Sequence, residues 1–174
     1  KGIRQKYSAD DITIRVDANG AFDELSVYKV LKELNRCDVH SIEQPVSPIN
    51  LSLLKELAKE NIVPIALDES LIGHVLGSDK SALLEEIKPQ YIVLKPSLHG
   101  GIAGTAEWIR LADKQAIGWW ITSALEGSIG LSAIAQFTGN YSINLPQGLG
   151  TGGIFSNNLP TKLVVKRGQL IMTV

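Results

Sequence analysis

Cysteine is almost absent: Cys37 stands alone among 174 residues. That excludes an internal disulfide and a cysteine cage for zinc, and it fits a reducing, cytoplasmic setting. An excess of basic charge is also missing, with 17 Lys and Arg against 18 Asp and Glu and a net charge of −1. The chain therefore lacks the electrostatic footprint of a partner for nucleic acid or for an anionic membrane surface. Nothing reads as a signal peptide. The most apolar stretch, from Ile117 to Leu125, stops at Glu126, well short of the ~20 residues that a membrane span requires. Neither a Gly-x-Gly-x-x-Gly turn nor a phosphate-cradling lysine loop is present, which weakens an open nucleotide-binding sheet. The three histidines, His40, His74 and His99, show no metal-ligand spacing and read as ordinary surface or core residues.

What is present is an alternation. At 44% hydrophobic and 20% charged, the composition suits one globular domain with a real core. Short β-branched runs recur at 12–16, 40–42, 64–67, 91–94, 119–121 and 143–145. Between them, apolar residues fall at helical spacing: Leu25, Tyr28, Leu31 and Leu34; Leu51, Leu54, Leu57 and Ala58; Leu83, Leu84 and Ile87; Ile102, Trp108, Ile109 and Ala112; Ile129, Ile134 and Phe137. Asp23, Asn50 and Ser78 are expected to cap three of these helices. The strand ends fall at 17, 43, 68, 95, 123 and 147, a step of 24 to 28 residues. Strict alternation predicts a parallel sheet. The regular step, with a polar residue at each strand's carboxyl end, favours a (β/α) barrel of the TIM type.

Active sites of such barrels gather at the carboxyl ends of the strands. Asp17, Glu43 and Asp68 would therefore face one space from adjacent strands. Each acid alone reads as a helix cap or a solvated loop residue. Three at the same phase of the repeat read as a metal site, because crowded carboxylates repel until a cation compensates them. All-oxygen ligands suit Mg²⁺ or Mn²⁺. Lys95 ends the next strand at the same phase and would act as a base, or as a cation stabilising an anion, beside a small-molecule carboxylate substrate. Asn19, two residues past Asp17, reads either as an outer contact to the metal or as a turn residue. Glu69 follows Asp68, and alternation along the strand points it elsewhere.

These motifs carry a resemblance. Val16-Asp-Ala-Asn19, Ile42-Glu-Gln-Pro45, Leu67-Asp-Glu-Ser70 and Leu94-Lys-Pro96 resemble successive barrel strands of the enolase superfamily, in its muconate-lactonizing-enzyme-like subgroup. Lys95-Pro-Ser-Leu-His-Gly-Gly101, Trp120-Ile-Thr-Ser-Ala-Leu-Glu126 and Gln147-Gly-Leu-Gly-Thr-Gly-Gly153 are most similar to the o-succinylbenzoate synthases of menaquinone biosynthesis. The resemblance runs from about Ile12 to the end. It implies that Asp17, Glu43 and Asp68 bind Mg²⁺, and that the metal holds the substrate carboxylate and stabilises the enediolate formed by α-proton abstraction. Lys95 would stabilise that anion by a cation–π contact while water leaves by syn-elimination. Ser123 and Glu126 would line the substrate end of the site, or else simply cap a helix. Gly148 and Gly150 belong to a glycine run whose backbone N–H groups could receive the succinyl carboxylate.

In the same family the principal base is a Lys-x-Lys motif on the second strand, and no Lys-x-Lys occurs in these residues. Strands 3 to 8 are expected here, with the first two strands and an α+β capping domain upstream of Lys1. Ile3, Arg4, Lys6 and Tyr7 read as the tail of a preceding helix. Alone, such a chain would be inactive as a synthase and left with an open, weakly held barrel edge. The expected division is a partial barrel over 1–158 and a hairpin tail over 159–174, packing towards the capping domain. Two alternatives stand beside the dehydratase. One is racemisation of N-succinylamino acids or epimerisation of dipeptides, although Asn144-Leu-Pro146 offers no acid for a dipeptide amine. The other is a truncated barrel that binds metal without turnover.

Overall fold

The computed structural model describes residues 2–173. Strands β1 (Arg15–Asp17), β2 (Ser41–Glu43), β3 (Ile65–Leu67), β4 (Tyr91–Leu94) and β5 (Gly118–Ile121) form one parallel sheet in chain order. Helices α1 (Glu24–Asn35), α2 (Leu51–Glu60), α3 (Gly77–Ile87), α4 (Gly101–Lys114) and α5 (Ser128–Thr138) follow the strands in turn. This is the parallel half-barrel of a TIM-type domain, as the alternation predicts. A hairpin of β6 (Leu163–Lys166) and β7 (Gln169–Met172) closes the described chain, also as expected, turning at Arg167 and Gly168 with positive φ. No helix of the described residues is long and apolar enough to cross a membrane.

Alternation along each strand assigns its two faces. Val16, Ile42, Ile65, Leu67, Ile92, Leu94, Trp119 and Ile121 join the core under the helices. Ala66, Tyr91, Val93 and Trp120 pack with Leu145 on the opposite, lumen side. Arg15 joins them there, its guanidinium 4.5 Å from the Trp120 ring centroid and bonded to the Pro146 carbonyl at 2.6 Å. The helices bury the residues their spacing marks, including Leu31, Leu54, Leu57, Leu84, Ile87, Trp108 and Ala112. The face of α1 is corrected: Leu25 is 92% exposed, and Val27 is buried in its stead. Ile102 and Ile129 are likewise exposed. All three lie in the first turn of a helix, and strands of three or four residues are too short to reach under a whole helix. Between α3 and α4, the buried Lys80 ammonium pairs with Glu107 at 2.7 Å and lies 5.5 Å from the Trp108 ring.

Three expectations about element boundaries are corrected. Asp23 and Asn50 do accept from Ser26 N–H and Leu53 N–H, but α3 begins at Gly77 after Leu76, with no side-chain cap, so Ser78 lies inside it. Residues 2–6 form turns rather than a helix tail, held as Arg4 donates to the carbonyls of Cys37, Ser8, Ile12 and Asp38. Residues 143–145 are not a strand; a single bridge, Thr122 to Gly148, stands where the sixth ladder was expected. Pro146 has no N–H for a ladder. Ile121 is completed instead by the Gln147 side chain, which accepts its N–H at 2.6 Å, and by Gly148 N–H, which donates to its carbonyl at 2.8 Å.

Asp23→Ala is expected to lower unfolding free energy by about 1 kcal/mol through loss of its cap, and Leu54→Ala by roughly 2–5 kcal/mol through an internal cavity. Urea unfolding followed by circular dichroism measures both.

Candidate active site

Register builds the site. Asp17 lies level with Glu43, and Glu43 level with Ala66. Asp68 is two residues beyond Ala66, so it shares Ala66's lumen face one step further along. Leu67 pairs with Ile92, which sets Asp68 level with Val93 and Lys95 two residues beyond that. Same parity with a rising stagger is the geometry of tilted strands in a barrel wall. The four polar side chains therefore converge on one mouth, above a floor of Arg15, Ala66, Tyr91, Val93 and Trp120.

At that mouth the Lys95 ammonium is bonded to Asp68 Oδ2 and stands 4.0 Å from Glu43 Oε1. Asp68 is fully buried, and its Oδ1 has no hydrogen-bond partner. Burial, with the charges of Asp17 and Asp68 added, pushes the Glu43 carboxyl up to about 8, against a smaller opposing pull from Lys95. Burial alone would lower the pKa of Lys95; its hydrogen bond to Asp68 and the charges of Asp68, Glu43 and Glu69 reverse that and raise it.

Asp68 is positioned by a residue that motif spacing did not single out. Gln44 is fully buried, and its Oε1 accepts the N–H groups of Asp68 at 3.2 Å and Ser70 at 3.1 Å. Its amide nitrogen donates to the Val46 carbonyl and to Ser70 Oγ. The signal was a glutamine between the site acid Glu43 and Pro45, at a strand exit where main-chain groups need a side-chain partner. Glu69 lies beyond the reach of the strand's alternation. The chain leaves the strand at Asp68 for a 3₁₀ turn over Glu69–Leu71, so strand alternation stops applying. The Glu69 Oε2 atom is buried without a partner, and burial and the Asp68 charge raise its pKa.

The other expected site residues fall into two groups. Ser97 Oγ, on the loop after Lys95, donates to Glu126 Oε1 at 2.5 Å, and both Glu126 oxygens accept from Ala124 N–H. Ser123 is buried and bonded to Thr151 Oγ1. The Ser97–Glu126 bond ties the loops after β4 and β5 together, and the Ser123–Thr151 bond ties the latter to the glycine run. Asn19 touches Asp17 through its main chain, its N–H donating to Asp17 Oδ1 at 2.9 Å from a left-handed φ of 45°. Gly148 does not offer a free N–H to an anion, since Ile121 takes it. A Cβ at Gly148 would lie 2.3 Å from Thr122 Oγ1, so the close approach there is to the protein's own strand. Gly150 is exposed with open space around it.

Among the described residues, no group of three Asp, Glu, His or Cys side chains is disposed to hold a metal ion as the side chains stand. The cation among these carboxylates is Lys95 itself. The donor chemistry nevertheless fits a hard divalent ion: oxygen atoms only, one of them buried and unpartnered, and a glutamate whose pKa burial and two neighbouring carboxylates raise.

The model of a known family, Enolase C-terminal domain-like, matches residues 1–165. The chain belongs to that family. This enolase-like chain is 50% identical over 170 residues to an o-succinylbenzoate synthase of Desulfotalea psychrophila, spanning 97% of the chain and 46% of that protein. An L-Ala-D/L-Glu epimerase of Francisella tularensis subsp. novicida is 29% identical, over 79% of the chain and 38% of that protein. The crystal structure of MenC from Desulfotalea psychrophila superposes with a TM-score of 0.93 at 49% identity, covering 97% of the chain and 47% of that structure. A muconate lactonizing enzyme structure superposes at 0.84 with 26% identity, again over 97% of the chain and 46% of that structure. The chain thus spans about half the length, or less, of the relatives it matches.

Because the pKa of Glu43 is raised on folding, its contribution to stability is fully present below the unfolded value near 4.5 and is lost as pH rises towards about 8. Metal-free chain is expected to lose stability across that window, and Glu43→Gln to flatten the loss. Denaturation midpoints measured from pH 4.5 to 8.5 check this.

Proposed function

We propose that this chain supplies the metal ligands and one catalytic lysine of a Mg²⁺-dependent dehydratase that forms o-succinylbenzoate. The observation that carries the reading is the convergence of Asp17, Glu43, Asp68 and Lys95 on one lumen mouth, in a chain half identical to a synthase of that name. Greater identity to that synthase than to the epimerase, and Asn144 in place of an acid, favour dehydration over epimerisation.

Asp17, Glu43 and Asp68 would hold Mg²⁺, or Mn²⁺ in its place, with Glu69 facing the same cluster. The bound ion would neutralise the carboxylates and bind a substrate carboxylate. Lys95 serves as a cation rather than as a base; in the metal-free chain the carboxylates around it already raise its pKa. Its ammonium, released from Asp68, faces the negative charge left by α-proton loss and stabilises it. The base is a second lysine, outside these residues. Gln44 holds the Asp68 main chain rigid through the reaction, and Asn19 N–H orients the Asp17 carboxylate. Ser123, Glu126 and Gly150 line the substrate end, while Gly148 lets that loop close against Thr122. Residues 1–158 form the catalytic portion and 159–174 the tail.

Calorimetric titration of the purified chain with Mg²⁺ is expected to show binding that Asp68→Asn abolishes or greatly weakens; no heat from the wild type would remove the metal reading. Joined to an upstream barrel segment carrying Lys-x-Lys, the chain is expected to form the aromatic product, visible by ultraviolet absorbance. Lys95→Ala should lower kcat by on the order of 10²–10³. Racemisation of an N-succinylamino acid without aromatic product would replace the dehydratase assignment.

A further inference from the structure

In a parallel sheet, successive residues of a strand address opposite neighbours. Leu94 gives its carbonyl to Thr122 N–H beyond β5, at 2.9 Å, so the N–H of Lys95 faces β3. That neighbour has already gone. Strand β3 ends at Leu67, and Asp68, at φ −126° and ψ −83°, turns the chain out of the sheet. The Lys95 N–H is thereby left without a ladder acceptor where a buried donor most needs one. The atom that meets it is His99 Nδ1, at 3.0 Å.

The ring is held from several directions. His99 is 4% exposed and packs edge-on to Trp108, with ring centroids 6.4 Å apart. Its own N–H returns to the carbonyls of Lys95 at 3.2 Å and Pro96 at 3.3 Å, so one residue secures both main-chain groups of the lysine. The following turn passes through Gly100 and Gly101, both at positive φ, and α4 then presses against it: a Cβ at Gly104 would lie 2.0 Å from the His99 carbonyl oxygen. Accepting at Nδ1 obliges the neutral ring to carry its proton on Nε2. That Nε2 is buried without a protein partner, and His99 is among the residues lining a cavity of about 450 Å³ between the loop after β3 and α4.

We propose that His99 is a positioning residue for Lys95: its neutral, Nε2-protonated imidazole replaces the missing ladder acceptor and fixes the direction in which the lysine side chain leaves β4. The hydrogen bond stands independently of the reaction; its consequence for turnover rests on the role proposed above for Lys95.

Two measurements on the 174-residue chain test it. Long-range ¹H–¹⁵N correlation should find His99 as the Nε2–H tautomer at neutral pH; an Nδ1-protonated or cationic ring overturns the proposal by itself, without any variant. Amide hydrogen exchange at Lys95, with Leu94 and Thr122 as internal references, should speed by on the order of tenfold or more in His99→Phe, which keeps the ring but loses the acceptor. His99→Asn should restore protection, because Asn Oδ1 sits as many bonds from Cα as His Nδ1. Unchanged Lys95 exchange in a folded His99→Phe chain overturns the proposal. In the joined polypeptide, His99→Phe should lower kcat more than it changes KM, with rescue by Asn. Altered exchange with unaltered kcat, where Lys95→Ala still lowers kcat, would uphold the hydrogen bond but overturn the positioning role; if Lys95→Ala also leaves kcat unaltered, the assignment of Lys95 as a catalytic cation fails instead.

Discussion

The structure depends on how little each strand has to offer the lumen. Strands of three or four residues present one or two side chains inward, and the outward positions are taken by the core under the helices. Arg15 and Asp17 on β1 and Ser41 and Glu43 on β2 are such pairs, the first towards the floor and the second towards the mouth; β3 presents Ala66, with Asp68 just past its end. The floor positions pack by shape and ring contact: Arg15 on Trp120, Tyr91 with Trp120 at 5.6 Å, and His40 with Tyr91 at 4.9 Å. The mouth positions carry charge. Division of labour along a single strand explains how one short element serves both packing and chemistry.

Charge at the mouth is not balanced by solvent. Asp68 has no accessible surface, and Glu43 is largely covered. Adjacent carboxylates in such a place cannot all ionise without a cation. The molecule supplies one internally, with Lys95 folded onto Asp68. Both shifts run upward: the hydrogen bond to Asp68 and the surrounding carboxylates raise the pKa of Lys95, while burial and the charges of Asp17 and Asp68 raise that of Glu43 against the weaker pull of Lys95.

Much of this was legible in the residues themselves. Fold class, five of six strands, the order of helices, the hairpin and the convergence of Asp17, Glu43, Asp68 and Lys95 all follow from periodicity and phase, because side-chain parity is a rigid property of an extended chain. The misreadings share a cause. Ile143-Asn-Leu145 has a strand's alternation but is followed by Pro146, and Ser78 reads as a cap but lies inside α3. Leu25, Ile102 and Ile129 sit at helical spacing in first turns that overhang the sheet. Each error lies at the end of an element, where local pattern continues after the tertiary partner has stopped.

Strand ends also explain which polar residues the pattern overlooked. A ladder that runs out leaves N–H groups facing an absent neighbour, and burying one unpaired costs ~1–3 kcal/mol. Here side chains repeatedly take the vacant place. Gln90 Oε1 accepts Ile65 N–H at 2.9 Å where β3 begins. Gln44 accepts Asp68 N–H where β3 ends, His99 accepts Lys95 N–H where β4 ends, and Gln147 accepts Ile121 N–H beside the strand that does not form. Two of these four serve residues of the candidate site directly. Motif reading finds residues that carry charge to the mouth. It passes over those that hold the main chain beneath them, because a glutamine or histidine at a strand end has no periodic signature. Their positions follow only from knowing which neighbouring strand has ended, so the support of this site becomes visible when its ladders are counted bond by bond.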